Sequence, residues 1–168
     1  MKQLDDSVDI AAIKLRKMPK LPDGKYLFHD VQILGTFDCC ANFLASLEGC
    51  PTSVEVDFDC AGNDELLNLQ GGPVEVGRSY YCNDCGLISL DGAPSRIKAS
   101  FICSENKLSS LRGAPVKIGM DFNCSNNPLK SLEGCPEEIG GNFYAFNTSL
   151  SKMDIQKKCK VIGEIYTS

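Results

Sequence analysis

The chain has 168 residues, 43% of them apolar and 23% charged, with a formal net charge of -5, which fits one soluble folded domain and excludes a disordered chain or one built of apolar membrane spans. The acidic balance, with a pI near 4.9, argues against direct binding to nucleic acid or an anionic membrane and makes basic proteins the expected partners. A single histidine, His29, and no tryptophan leave no multi-histidine metal centre. His29 stands between Phe28 and Asp30 with no nucleophile motif beside it, so it reads as a surface residue rather than a catalytic base.

At the start of the chain, Leu4, Val8, Ala11, Ala12 and Leu15 follow a helical spacing. Asp5 and Asp6 precede them and Lys14, Arg16 and Lys17 follow, the charge order that suits a helix dipole. A helical cap is therefore predicted within residues 1–30. It is broken by Met18-Pro19-Lys20-Leu21-Pro22-Asp23-Gly24, after which Lys25 to Phe28 form an irregular first coil or strand. The first residues carry acids and lead into no uninterrupted apolar signal segment, so a cytoplasmic protein is expected.

From residue 31 to 153 the sequence repeats. Phe37, Phe58, Tyr80, Phe101, Phe122 and Phe143 recur at intervals of 21, 22, 21, 21 and 21 residues, the mark of a stack of equivalent coils. Two places after each aromatic stands Cys39, Cys60, Cys82, Cys103, Cys124 and then Ala145. Four places before stands Ile33, Val54, Val76, Ile97, Ile118 and Ile139, and five places after stands Asn42, Asn63, Cys85, Asn106, Asn127 and Thr148. Leucine pairs from Leu44 and Leu47 to Leu129 and Leu132 each lead into a Gly-x-Pro divider, from Gly49-Pro51 to Gly134-Pro136. The one longer interval comes from an extra residue between Asn63 and Leu69.

Aromatic-x-Cys alternates inward with period two, as a short strand does, while Gly and Pro supply return turns. The asparagine suits a side-chain amide that satisfies turn backbone buried between coils. No coil can bury its apolar edge alone, so six stacked units form one core whose ends need caps. After the repeats, residues 154–168 form a C-terminal cap: Met153 to Lys160 make a helical turn, and Val161 to Ile165 close the stack as a degenerate coil.

Written out, one unit reads Ile97-x-x-x-Phe101-x-Cys103-x-x-Asn106-x-Leu108. This resembles the leucine-rich repeat family, with Phe and Cys in two leucine places and Cys85 in an asparagine place. The phrasing Leu-x-Gly-x-Pro-x-x-Ile-x-x-x-Phe-x-Cys is similar to short repeat proteins of bacteria and bacteriophages. The resemblance implies an α/β-type repeat solenoid with a short parallel sheet on its concave face and a mostly irregular convex side. It implies no common reaction, and members of the family chiefly bind other proteins.

Ten cysteines invite a disulfide or metal reading, but five of them are the ladder residues of the core. Cys82-Asn83-Asp84-Cys85 has the spacing of half a zinc ribbon, yet its cysteines occupy repeat positions and no second pair matches it. Cys50 and Cys135 fill Gly-Cys-Pro turns, and Cys40 and Cys159 are the expected exposed thiols. A reduced protein without cofactor or metal is the simpler expectation.

Function should lie on the outward side of the sheet. The residues one before, one after and three after each aromatic make eighteen positions, with four aspartates and no lysine or arginine. Asp38 and Asp59 are predicted on neighbouring strands with Asp57 beside them, a repulsion that a basic partner relieves. Calcium would relieve it too, but no Asp-x-Asp-x-Asp-Gly loop is present. Tyr81, Ile102, Tyr144 and Phe146 offer the large anchors that dominate binding energies, and Asp121 and Asn123 complete the candidate face. The expectation is a non-catalytic protein that grips a basic partner surface, such as a phage inhibitor of a bacterial host or defence protein acting in the host cytoplasm. The rival readings are an acidic nucleic-acid mimic, a self-assembling structural part, and an enzyme using Asp38, Asp57 and Asp59 as acid–base groups.

Overall fold

The computed structural model describes residues 2–4, 8–9, 18–22, 24 and 26–167. These residues form a parallel β-solenoid in which each coil contributes two short strands, numbered in chain order. The aliphatic column lies in Lys2–Leu4 (β1), Val31–Ile33 (β3), Ser53–Val54 (β5), Glu75–Val76 (β7), Arg96–Ile97 (β9), Lys117–Ile118 (β11), Glu138–Ile139 (β13) and Lys160–Val161 (β15). The aromatic column lies in Val8–Asp9 (β2), Phe37–Asp38 (β4), Phe58–Asp59 (β6), Tyr80–Tyr81 (β8), Phe101–Ile102 (β10), Phe122–Asn123 (β12), Phe143–Ala145 (β14) and Ile165–Thr167 (β16). The aromatic-column strands build one eight-stranded sheet from β2 to β16, and the others build two four-stranded sheets, β1-β3-β5-β7 and β15-β13-β11-β9. A single sheet with an irregular opposite side is thus too simple, because the Ile/Val column forms hydrogen-bonded ladders of its own.

The predicted N-terminal helix is corrected where it is described. Leu4 pairs in register with Ile33 and Val8 with Phe37. A separation of four residues is both a helical spacing and the distance between the aliphatic and aromatic columns, so Leu4 and Val8 belong to one more coil. Stacking on the next coil decides between the two, as tertiary pairing commonly overrides local periodicity. Ala11, Ala12, Leu15 and the charges around them lie outside the described residues. At the other end the expected helical turn is the helix Lys152–Lys158 (α1), whose Ser151 Oγ accepts the Asp154 N–H at 3.1 Å. The closing coil follows it, with Val161 and Ile165 in register with Ile139 and Phe143. No helix among the described residues is long and apolar enough to cross a membrane.

The core is a set of columns. Phe37, Phe58, Tyr80, Phe101, Phe122 and Phe143 are completely buried and stack with ring centroids 4.8 to 6.2 Å apart, while Phe28 closes the row edge-on at 5.1 Å from Phe37. Beside them Cys39, Cys60, Cys82, Cys103 and Cys124 are equally buried. The Cys39 thiol donates to Asp59 O at 3.2 Å and the Cys82 thiol to Ile102 O at 3.4 Å. Burial pushes these thiols well up from their ordinary value, so they pack as small apolar groups.

One strained position recurs. Four residues after each aromatic, Ala41, Asp84, Glu105, Asn126 and Asn147 adopt φ of 48 to 57°, and Gly62 has 68°. This left-handed turn carries the chain out of the strand. Glycine takes it without strain, whereas an L side chain costs about 1–2 kcal/mol there. Replacing Glu105 by glycine is expected to stabilise the protein by about 0.5–1 kcal/mol, after the greater freedom of glycine in the unfolded chain is deducted. A urea unfolding midpoint above that of the unaltered chain is the expected reading, and an unchanged or lower midpoint contradicts it.

Candidate functional site

The strand register builds the outward face of the eight-stranded sheet one residue per coil. Asp38 pairs with Asp59, Asp59 with Tyr81, Tyr81 with Ile102, Ile102 with Asn123, and Asn123 with Tyr144. These side chains are half-buried, while the aromatic residue preceding each in its strand is buried, Phe143 in the case of Tyr144. Asp57 and Asp121 lie one place before the aromatics and Phe146 three places after. The predicted face residues are therefore brought together on one surface.

They are not free of structural duty, however. One place before the aromatics from Phe58 to Phe143, a side chain accepts the N–H of its equivalent in the next coil: Asp57 Oδ1 from Ser79 at 2.9 Å, Asp121 Oδ1 from Asn142 at 2.8 Å, and Asn142 Oδ1 from Glu164 at 2.9 Å. Ser79 and Ser100 accept in the same way at 3.4 and 3.3 Å. One place after the aromatic, Asp38, Asp59 and Asn123 turn Oδ1 onto the N–H two residues on, at Cys40, Ala61 and Ser125, at 2.9, 2.9 and 3.0 Å. Aspartate and asparagine thus recur here because a short side chain with an acceptor oxygen suits these turns. Each of the three aspartates Asp38, Asp59 and Asp121 still carries a second carboxylate oxygen beyond these bonds.

The two ends of the face differ in chemistry. At one end Asp38, Asp57 and Asp59 gather. Burial raises Asp59 above the usual carboxylate value of 3.8, the Ala61 N–H opposes this, and the Asp38 and Asp57 charges add to it. A raised folded-state pKa means the ionised group weakens folding at neutral pH, and this penalty disappears as pH falls through the raised range. Asp59→Asn keeps the Oδ1 acceptor and removes the charge. Its unfolding temperature at pH 7 is expected to exceed that of the unaltered chain, and the gain should shrink as pH approaches 3.8. A gain that is independent of pH contradicts this assignment.

At the other end Tyr144, Phe146 and Tyr166 form an aromatic cluster. Tyr144 and Tyr166 stack at 5.0 Å with 7° between ring planes, and Phe146 lies 6.4 and 6.2 Å from them. Phe146 is 42% and Tyr166 41% exposed. Tyr166 escapes a search for the repeat because Ile165 stands where the six repeat coils have an aromatic. The four-residue step from Val161 to Ile165 is the sequence signal that locates it. Cations occupy other strands: Lys117 and Lys160 flank Glu138 at 3.3 and 3.4 Å, and hold its carboxyl below the usual range. Arg78 reaches the edge of the acidic end, 4.0 Å from Asp57.

All ten cysteines are free. Cys82 and Cys85 are buried, and Cys85 donates to Cys60 O at 3.3 Å, so both act as core thiols. Cys40 is half-buried, and burial followed by the Asp38 carboxylate pushes it up to about 12, which keeps it a thiol at neutral pH. Cys159 is not exposed as expected. It is buried as the C-cap of α1, its N–H bonded to Ile155 O. Its thiol meets that of Cys135, a contact that lowers Cys159 and raises Cys135. His29 has a side chain 67% exposed, 3.5 Å from Asp30. Among the described residues, donor atoms of Asp38, Cys40 and Asp59 lie within 4.8 Å of one another, three potential ligands against the six to eight oxygens calcium takes. Comparison with protein-family models, with curated proteins and with solved structures finds no match to this chain.

Proposed function

We propose that the chain is a leucine-rich repeat protein of the short type whose eight-stranded sheet presents a non-catalytic binding face for a basic surface of another protein. The observation that carries this reading is the composition of that face. Over the six repeat coils its outward rows hold four aspartates and no lysine or arginine, with Asp9 of β2 in register beside Asp38, and the face carries an exposed aromatic cluster, whereas Arg96, Lys117 and Lys160 stand in strands of the aliphatic sheets. Clustered, partly desolvated carboxylates attract a cationic partner over long range, and large side chains on the same surface supply apolar area once it docks. The similarity of the repeats to bacterial and bacteriophage proteins directs the search for the partner to bacterial host and defence proteins.

A photo-crosslinking amino acid at Ile102, in the middle of the face, tests this reading against one at Val116, which is exposed next to the aliphatic strand β11. In bacterial lysate the Ile102 probe is expected to label a basic protein that the Val116 probe does not, and the yield should fall as salt is raised. Labelling of the same proteins from both positions, or from Val116 alone, contradicts it.

A further inference from the structure

We infer that the occupant of the face is an extended segment of the partner that places two arginines six residues apart. The inference rests on the reading of the sheet as the binding face and adds what that face selects.

The first anchor is the pair Asp38 and Asp59. Each accepts a backbone N–H on Oδ1, and the two carboxylates stand on adjacent paired strands, with the Cys40 thiol also bonded to that of Asp38. A planar guanidinium presents parallel N–H groups to two such carboxylates, which an ammonium on a flexible stem does not. The second anchor lies at Asn123. Tyr144 stacks against Tyr166 on one side, and its neighbour in register on the other side is the short Asn123. No ring contact of Tyr144 among the described residues lies toward Asn123; its ring partners are Tyr166 and Phe146. The Asp121 carboxylate stands two residues before Asn123 on the same coil, with Oδ1 held by the Asn142 N–H. A ring face beside a carboxylate suits a guanidinium, which stacks and forms an ion pair at once. Between the anchors Tyr81 and Ile102 make an apolar floor without charge.

The separation sets the spacing. From the midpoint of Asp38 and Asp59 to Asn123 is three and a half strand steps, about 17 Å at roughly 4.8 Å per step. A polyproline-like or fully extended segment covers about 19–20 Å in six residues, and a six-residue separation returns the side chain to the same face in both conformations. Two residues reach only about 6–7 Å, and ten overshoot by about 14–17 Å.

Titration followed by 1H–15N NMR with synthetic Gly-Ser peptides tests the inference, the peptides carrying two arginines two, six or ten residues apart and a lysine pair at six. The six-residue arginine peptide is expected to bind at least fivefold more tightly than the other three and to shift the Asp59 and Asn123 amides together. Asp38→Asn/Asp59→Asn should abolish the shifts at the first anchor, and Tyr144→Leu should weaken those at the second. Equal affinity at all spacings, or shifts at one anchor alone, overturns the inference. If no peptide binds while the Ile102 probe labels a protein, the arginine spacing is refuted and the binding face stands. If that probe also labels nothing that Val116 does not, both fail.

Discussion

Gly113→Ala is expected to cost about 3 kcal/mol of stability, through strain and overpacking together. Gly113, the glycine of a Gly-x-Pro divider, has φ of 86°, and a β-carbon there would stand 2.5 Å from Asp91 N and from the Leu90 carbonyl carbon of the preceding coil. Both obstacles are backbone, so neither can swing away. Gly24 provides the control, since it has φ of 85° but nothing within 4 Å of a β-carbon, and Gly24→Ala should cost only about 1 kcal/mol, the conformational part. Thermal unfolding separates the two. A drop of roughly 10 °C is expected for Gly113→Ala against a few degrees for Gly24→Ala, and equal drops would mean that the coils are not packed backbone to backbone at the divider.

Loss of the Asn106 side chain is the second large effect. Asn106 is buried, accepts the Leu87 N–H at 3.0 Å, and donates to the carbonyls of Cys82, Cys103 and Ser104 at 2.9, 3.1 and 3.1 Å. Asn63 and Asn127 do the same for Leu44 and Leu108. Asn106→Ala leaves several interior backbone groups unpaired and is expected to cost about 3–4 kcal/mol. Asn106→Cys, which the repeat pattern allows on paper, should still cost about 2 kcal/mol, because a thiol accepts hydrogen bonds poorly. Cys85 is tolerated at the equivalent place for a specific reason. The preceding coil carries the extra residue, and its Leu66 N–H bonds to Asn63 O at 2.9 Å, so that N–H needs no side-chain acceptor from the coil above, and the Cys85 sulfur meets the Asn63 N–H instead. Thr148 follows the same rule, with the Leu129 N–H bonded to Asn127 O at 2.7 Å. Cys85→Asn is accordingly expected to bring no stabilisation. Urea unfolding of the three variants checks the set, and an Asn106→Cys midpoint equal to that of the unaltered chain contradicts the explanation.

The repeat made most of this architecture readable, since a column of identical residue types at a fixed interval has one structural meaning. The aromatic, cysteine and asparagine columns stand where the sequence puts them, and the register of the outward face follows from counting. Two features were hidden for physical reasons. Leu4 and Val8 carry the four-residue step of the coil, but without an aromatic or cysteine after them that step is indistinguishable from a helical one. Asp38, Asp57, Asp59 and Asp121 read as free carboxylates because hydrogen bonds from outward side chains to turn backbone leave no periodic trace apart from the recurrence of short polar residues. Cys159 is a third case. Its place beside Cys135 depends on how α1 folds back onto the last coil, which lies outside the repeat.

The hydrogen bonds of the outward carboxylates also determine how the face should be altered. Asp38→Asn and Asp59→Asn remove charge and keep the Oδ1 acceptor, so a loss of binding in such variants is not a loss of fold. The most direct test combines them with Phe146→Ala and measures affinity for the protein labelled through Ile102, alongside the urea midpoint. An affinity reduced at least about a hundredfold, near 2.7 kcal/mol, with a midpoint no lower than that of the unaltered chain, is the predicted result. An affinity that does not change while the fold is intact would place the function elsewhere on the molecule.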